Sequence, residues 1–220
     1  MKVIHIYVEL TMGNMAKVVS EVQQRMLGIN ILAFADTHYE FTKRGIIESL
    51  YQEYGEPDIV MLLGDHHPNF IDLLLQYYPE NIIVGVLGNH DLKSLYRDFG
   101  LKELHGNVVN INGITIAGIS GSHKYKCSDN YLLLSQDESL KICEVLLKQA
   151  HADILISHDK AFLKEDYDVA HCGIVGITKY IFSEKAPIVH IHGHLHRSYK
   201  QNYSNGTKEI SVFGVEYLKI

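Results

Sequence analysis

The stretch Ile31-Leu32-Ala33-Phe34-Ala35-Asp36-Thr37-His38 decides how this chain is read. Its five consecutive apolar residues have the length of a strand, and the lack of polar alternation means that both faces are covered by other layers. The run then stops on Asp36 and His38. Two residues apart on extended backbone, these side chains share a face, with Cα atoms about 6.6 Å apart at ~3.3 Å per residue. They can converge on one ion or on a close pair of ions.

Working outward, the pattern repeats. Apolar runs at Asp58–Leu63, Ile82–Leu87, Ile114–Ile119, Ile154–Ser157 and Ile188–His192 are strand-like, and helix-like segments separate them at Thr42–Tyr54, Phe70–Tyr78, Leu92–Phe99 and Gln136–Ala150. Ser135 or Asp137 caps the last of these. Strands alternating with helices predict an α/β layered domain. Asn112-Gly113 within Val108–Ile119, and Asn205-Gly206 within Ser198–Phe213, are two-residue hairpin signals that add antiparallel strands, so the sheet is mixed.

Composition excludes several classes. The 220 residues (25.0 kDa) are enough for one sizeable core, which rules out a disulfide-stapled mini-protein. A net charge of −6 with 46% hydrophobic residues argues against wholesale disorder and against a broad basic surface for nucleic acid. Histidine is in excess, at 14 residues against 7 Phe and no Trp. Three widely spaced cysteines, Cys127, Cys143 and Cys172, form neither a disulfide framework nor a thiolate zinc site and indicate a reducing cytoplasm. The N-terminal apolar run is broken by His5 and Glu9 and is too short for a signal peptide, and no stretch has the length of a membrane span. Residues 1–29 read as a separate extension, a strand at Lys2–Glu9 and a helix at Asn14–Leu27 ending on Gly28, ahead of a main domain at 30–220. The extension is either an edge strand with a covering helix or an element for regulation or homo-oligomer formation.

The chemistry-bearing residues follow the strands at their carboxyl ends, where open α/β sheets place ligands. They are Asp36-Thr37-His38, Gly64-Asp65-His66-His67, Gly88-Asn89-His90-Asp91, Ser157-His158-Asp159 and Gly193-His194-Leu195-His196. The glycines fit sharp turns where backbone approaches an ion or anion closely. Any one cluster is weak evidence, since a lone histidine is more often structural. Five in succession at strand ends are strong evidence.

In their order and content these blocks resemble the calcineurin-like metallophosphoesterases, whose pattern is DxH, GDxx, GNH(D/E), (S/T)H and GHxH. The resemblance implies a four-layer α/β/β/α sandwich with mixed β-sheets and a dinuclear metal site. It assigns Asp36, His38, Asp65 and His196 to one ion and Asp65, Asn89, His158 and His194 to the other, with Asp65 bridging. His90 is then the catalytic histidine and Asp91 its orienting partner. Such a donor set, without thiolate, suits Mn²⁺, Fe, Zn²⁺, Co²⁺ or Ni²⁺ better than Ca²⁺ or Mg²⁺, with Mn²⁺ the first choice. Two divalent ions against Asp36 and Asp65 leave the site positive, so it should prefer a small anionic phosphate ester, a nucleotide among them. A histidine beside the ions contributes about 10²–10⁴-fold by protonating the departing alkoxide.

The short chain resembles the phosphodiesterase branch rather than the protein phosphatases, whose longer GDxVDRG block and GNHE differ from the stretches here. A nuclease and a phosphomonoesterase are the alternatives, and a non-catalytic scaffold ranks last because no ligand position is substituted. Arg197, beside GHLH, and His123 and Lys124, after the fourth strand, are the candidate substrate contacts, together with His66 next to Asp65. His190 and His192 share a strand face with His194 and read as buried support.

Overall fold

The computed structural model describes residues 26–163 and 168–220. The expected strand Lys2–Glu9 and all but the last residues of the expected helix Asn14–Leu27 lie outside them. Two main sheets form. In the first, β1 (Asn30–Ala35), β2 (Ile59–Leu62), β3 (Ile83–Gly85) and β4 (Lys102–Glu103) are parallel neighbours, and the last strand, β13 (Gly214–Lys219), lies antiparallel beside β1. The second contains β5 (Val108–Ile111), β6 (Ile114–Ile119), β9 (Ile154–Ser157), β10 (Val189–His192), β11 (Tyr199–Asn202) and β12 (Lys208–Ser211), in the order β11-β12-β10-β9-β6-β5. Strands β7 (Ser122–His123) and β8 (Leu133–Leu134) pair separately.

Burial explains the layering. Alternate residues of the central strands point between the sheets, where Ile31, Ala33, Met61 and Val84 meet Ile116, Ile154, Ile156 and Ile191. The other set of the first sheet, Leu32, Phe34, Val60 and Leu62, is covered by Ile47 of the helix Arg44–Tyr54 and by Phe70, Ile71 and Leu74 of the helix Pro68–Leu74. On the far side Ala117, Ile119 and Leu155 are covered by Cys143 and Leu146 of the helix Gln136–Leu147 and by Ile177 and Ile181 of the helix Val175–Ile181. Helix, sheet, sheet and helix make the expected four-layer α/β sandwich. Among the described residues no helix is long and apolar enough to cross a membrane.

Several elements differ from their expected extents. Strand β3 stops at Gly85 because the next polar groups are claimed by side chains: Tyr96 Oη donates to the Val86 carbonyl (2.9 Å) and the Leu87 amide donates to Ser120 Oγ (3.0 Å). The helix expected at Phe70–Tyr78 starts at Pro68, since Pro fits the first turn and His67 Nδ1 accepts from the Asn69 amide (3.1 Å). Asn112-Gly113 does make the tight β5–β6 hairpin, with φ of 51° and 85°. Asn205-Gly206 does not make a two-residue turn. The β11–β12 connection runs from residue 203 to 207 because Tyr203 turns inward and is buried, and Asn205 Nδ2 donates to the Ile181 carbonyl (2.7 Å). Ser135 caps the helix Gln136–Leu147 in a reciprocal capping box with Glu138.

Candidate metal centre

Because β1, β2 and β3 are parallel, as are β9 and β10, their carboxyl ends emerge together, and cross-sheet hydrogen bonds join the two rows. The His194 amide donates to Asp36 Oδ2 (2.9 Å), and His158 Nδ1 donates to the Leu63 carbonyl (2.8 Å). Backbone conformation marks the place independently. Six non-glycine described residues have positive φ, and five of them are Asp36, His38, Asp65, His194 and His196, all expected ligands. This left-handed region is disfavoured for residues with a Cβ, at about 1–3 kcal/mol each, and is retained where the surroundings require it. Here it aims consecutive side chains back over the strand ends. Gly64 (φ 97°) leaves the space that His158 Nδ1 and Gly88 need, and a Cβ on Gly88 would collide with the Asp65 carboxylate.

The donor atoms are arranged for a cation. His158 Nδ1–H is committed to Leu63, so Nε2 is the nitrogen turned toward the centre, 3.6 Å from Asp65 Oδ2 and 3.1 Å from Asn89 Oδ1. Asp36 Oδ1 is buried, has no hydrogen-bond partner, and lies 3.6 Å from His196 Nε2. Ligand atoms of Asp36, His38 and His196, and those of Asp36, Asp65 and His158, come within 4.8 Å of one another. The residues therefore fit a divalent metal. Proton affinities carry the same message. Burial opposes a charged His158, yet the Asp65 and Asp36 carboxylates outweigh it and raise its pKa. Burial, with Asp65 nearby, raises Asp36. Burial and then the charge of His158 push His194 down to about 4, which keeps its imidazole neutral. His194 Nε2 faces the Ala170 carbonyl at 3.2 Å, so it donates there and leaves Nδ1 as acceptor.

His90 is exposed at the mouth, its amide anchored on Asp65 Oδ1 (2.9 Å) and its ring centroid 6.3 Å from that of His38. The Asp91 carboxylate accepts from the amides of Asp65 (2.9 Å), His66 (2.7 Å) and Gly88 (2.7 Å), which ties the GD loop to the GN loop. Burial, then the Asp65 charge, push Asp91 up to about 7 against the pull of these amides.

The expected substrate contacts are dispersed. The Gly64 amide donates to His66 Nε2 (3.2 Å), so His66 Nδ1 donates to Thr37 Oγ1 (2.8 Å), and this buried ring braces the DxH and GD loops. Burial holds its pKa down at about 3. The Arg197 guanidinium lies over the Tyr199 ring at 5.4 Å. The His123 amide donates to Asp159 Oδ2 (2.9 Å) while its ring meets Gln136, and Lys124 is exposed. Two neighbours escape the sequence reading. His171 brings its ring to 4.8 Å from that of His194 and is held by Asp168 Oδ2 at 2.5 Å; the Asp-x-x-His spacing was the available signal. Phe213 stacks on His196 at 5.1 Å, which the sequence separation conceals.

A strand-end centre of carboxylate, amide and imidazole on a four-layer sandwich defines a metal-dependent hydrolase of phosphoric esters. The model of the calcineurin-like phosphoesterases matches residues 29–198, and the chain belongs to that family. Among solved structures, TT1561 of Thermus thermophilus is similar at 11% identity (TM-score 0.64, covering 87% of this chain and 99% of that one). The phosphopantetheinyl hydrolase of Mycobacterium tuberculosis is similar at 15% identity (TM-score 0.60, covering 86% and 90%). A dimetal phosphatase of Danio rerio follows at 12% (TM-score 0.52, covering 86% and 88%). At these identities the likeness is one of fold. No curated protein sequence matches.

Proposed function

We propose that the chain is a phosphodiesterase that holds two divalent ions, Mn²⁺ foremost, and acts on a small phosphodiester in the cytoplasm. The observation that carries this reading is the convergence of Asp36, His38, Asp65, Asn89, His158, His194 and His196 from five strand ends, with the buried Asp36 Oδ1 lacking any hydrogen-bond partner. Asp36, His38, Asp65 and His196 would hold one ion, and Asp65, Asn89, His158 and His194 the other. Divalent ions there supply Lewis acidity toward water and the phosphoryl oxygens.

The chain's own residues do the rest. Asp65, its Oδ1 bonded to the His90 amide, keeps the centre and the catalytic histidine in register. The exposed His90 ring is positioned to give a proton to the departing oxygen. A diester is favoured over a monoester by charge. The cavity beside the centre is lined by His38, Asp65 and His90 and by no described lysine or arginine, which suits a singly charged phosphate with room for two substituents. Three free cysteines, two of them buried, support the cytoplasmic reading.

Metal-depleted protein resupplied in turn with Mn²⁺, Fe²⁺, Zn²⁺, Co²⁺ and Ni²⁺ tests this against bis(p-nitrophenyl) phosphate, p-nitrophenyl phosphate and single- and double-stranded DNA. The expected result is metal-dependent hydrolysis with the highest kcat/KM on the diester. A higher kcat/KM on the monoester, or on DNA, would replace the diesterase reading with the corresponding alternative.

A further inference from the structure

The cavity of about 470 Å³ that His38, Asp65 and His90 line is also lined by Tyr39, His67 and Leu92. This volume lies within the roughly 300–1,000 Å³ of small-molecule sites. Its outer part is apolar and aromatic, although it stands in solvent: Tyr39 is 73% exposed and Leu92 61%. The fold does not need the Tyr39 ring there. What the helical turn uses is the Tyr39 carbonyl, which accepts from the Thr42 amide (3.3 Å) and Thr42 Oγ1 (2.7 Å).

The ring is nevertheless held in place. His67 is fixed by its Nδ1 bond to the Asn69 amide, and its centroid lies 4.4 Å from that of Tyr39. The His67 ring thus lies against that of Tyr39 at an interplanar angle of 43°, and the tyrosine still presents most of its surface to solvent. With no described lysine or arginine lining this part of the cavity, recognition there works by stacking and dispersion, and two rings suit a planar partner better than an alkyl chain.

We infer that Tyr39, backed by His67, is a stacking platform for a planar aromatic ring carried on the phosphate ester, whether a nucleobase or a simple aryl group. The inference rests on the phosphoesterase reading of the adjoining centre.

Competitive inhibition of diester hydrolysis by adenosine 5′-monophosphate, phenyl phosphate and methyl phosphate tests it in the native protein, in Tyr39→Ala and in Tyr39→Phe. Both ring-bearing monoesters should bind more tightly than methyl phosphate to the native protein. Tyr39→Ala should raise the Ki of the ring-bearing compounds roughly tenfold, the scale of a single stacking contact, and leave that of methyl phosphate in place, while Tyr39→Phe keeps the native order. A preference for adenosine monophosphate over phenyl phosphate would identify the ring as a nucleobase, and equal gains would identify it as any aryl group. Unchanged Ki ratios in Tyr39→Ala would overturn the platform. If no metal supports hydrolysis, the reading of the centre fails instead, and ligand-observed NMR of the same three compounds with the metal-supplied protein still decides whether Tyr39 binds the ring.

Discussion

At the strand ends, Asp36, His38 and His196, and likewise Asp36, Asp65 and His158, bring ligand atoms within 4.8 Å of one another; on the outer face of the second sheet, His190, His192 and Glu209 do the same. Residue types and spacing are alike, but the electron pairs are not. In the sheet cluster Ser157 Oγ donates to the Asp159 carbonyl (2.6 Å), so His190 Nε2 donates to Ser157 (2.7 Å) and His190 Nδ1 accepts from Tyr203 Oη (2.9 Å). His192 faces acceptors at both nitrogens, the Gly193 carbonyl and Glu209 Oε1 (each 3.1 Å), and donates to both. Tyr199 and Gln201 also donate to Glu209. Every side-chain nitrogen and oxygen of the three residues has a hydrogen-bond partner, and the histidines sit on regular strand. At the strand ends the buried Asp36 Oδ1 has no partner and the backbone is left-handed. A cation site is therefore marked by unmatched acceptors and retained strain, not by the proximity of ligand types.

The largest expected effect sets the two regions directly against each other. Asp65→Ala should lose bound metal and bring turnover to background, whereas Glu209→Gln should keep its metal content, read by elemental analysis of the purified proteins. His90→Asn, which touches neither set of lone pairs, should keep its metal and lose about 10²–10⁴-fold in turnover. Equal metal loss in Asp65→Ala and Glu209→Gln would erase the contrast.

A smaller effect is expected where the centre is supported indirectly. In Asp91→Asn one carboxamide oxygen must serve three amides, and the NH₂ group would confront a donor. The GD and GN loops should loosen, and metal affinity should fall by about 10–100-fold, as is usual for groups that brace ligands. Activity should return at high metal concentration. Loss that excess metal does not rescue would give Asp91 a direct catalytic part.

The layers, the five strand-end clusters and the first hairpin were legible because each is written in local pattern: apolar runs ending on carboxylate, amide and imidazole residues, and Asn112-Gly113 between strands. What was hidden depends on the third dimension. Strand β13 pairs with β1 across nearly the whole chain. The helix Val175–Ile181 contains Gly176, a poor helix former, which is there because a Cβ would strike the backbone of Ser139 in the neighbouring helix. The contacts of Asp91 are equally non-local: its carboxylate reaches the amides of Asp65 and His66 on another loop.

The smallest effect tests the satisfied cluster on its own terms. Burial works against the Glu209 carboxylate, but His192 and Gln201 outweigh it and bring its pKa down from 4.5 to about 2. A carboxylate depressed in the folded state adds stability above its unfolded pKa and loses it as pH falls through the folded value. Glu209 should thus contribute fully above about pH 4.5 and progressively less toward pH 2. Chemical denaturation in chelator, repeated from pH 6 to pH 2, should show native stability falling more steeply across that window than that of Glu209→Gln, while the two respond alike above it. Parallel curves would mean that the cluster does not hold Glu209 as an anion.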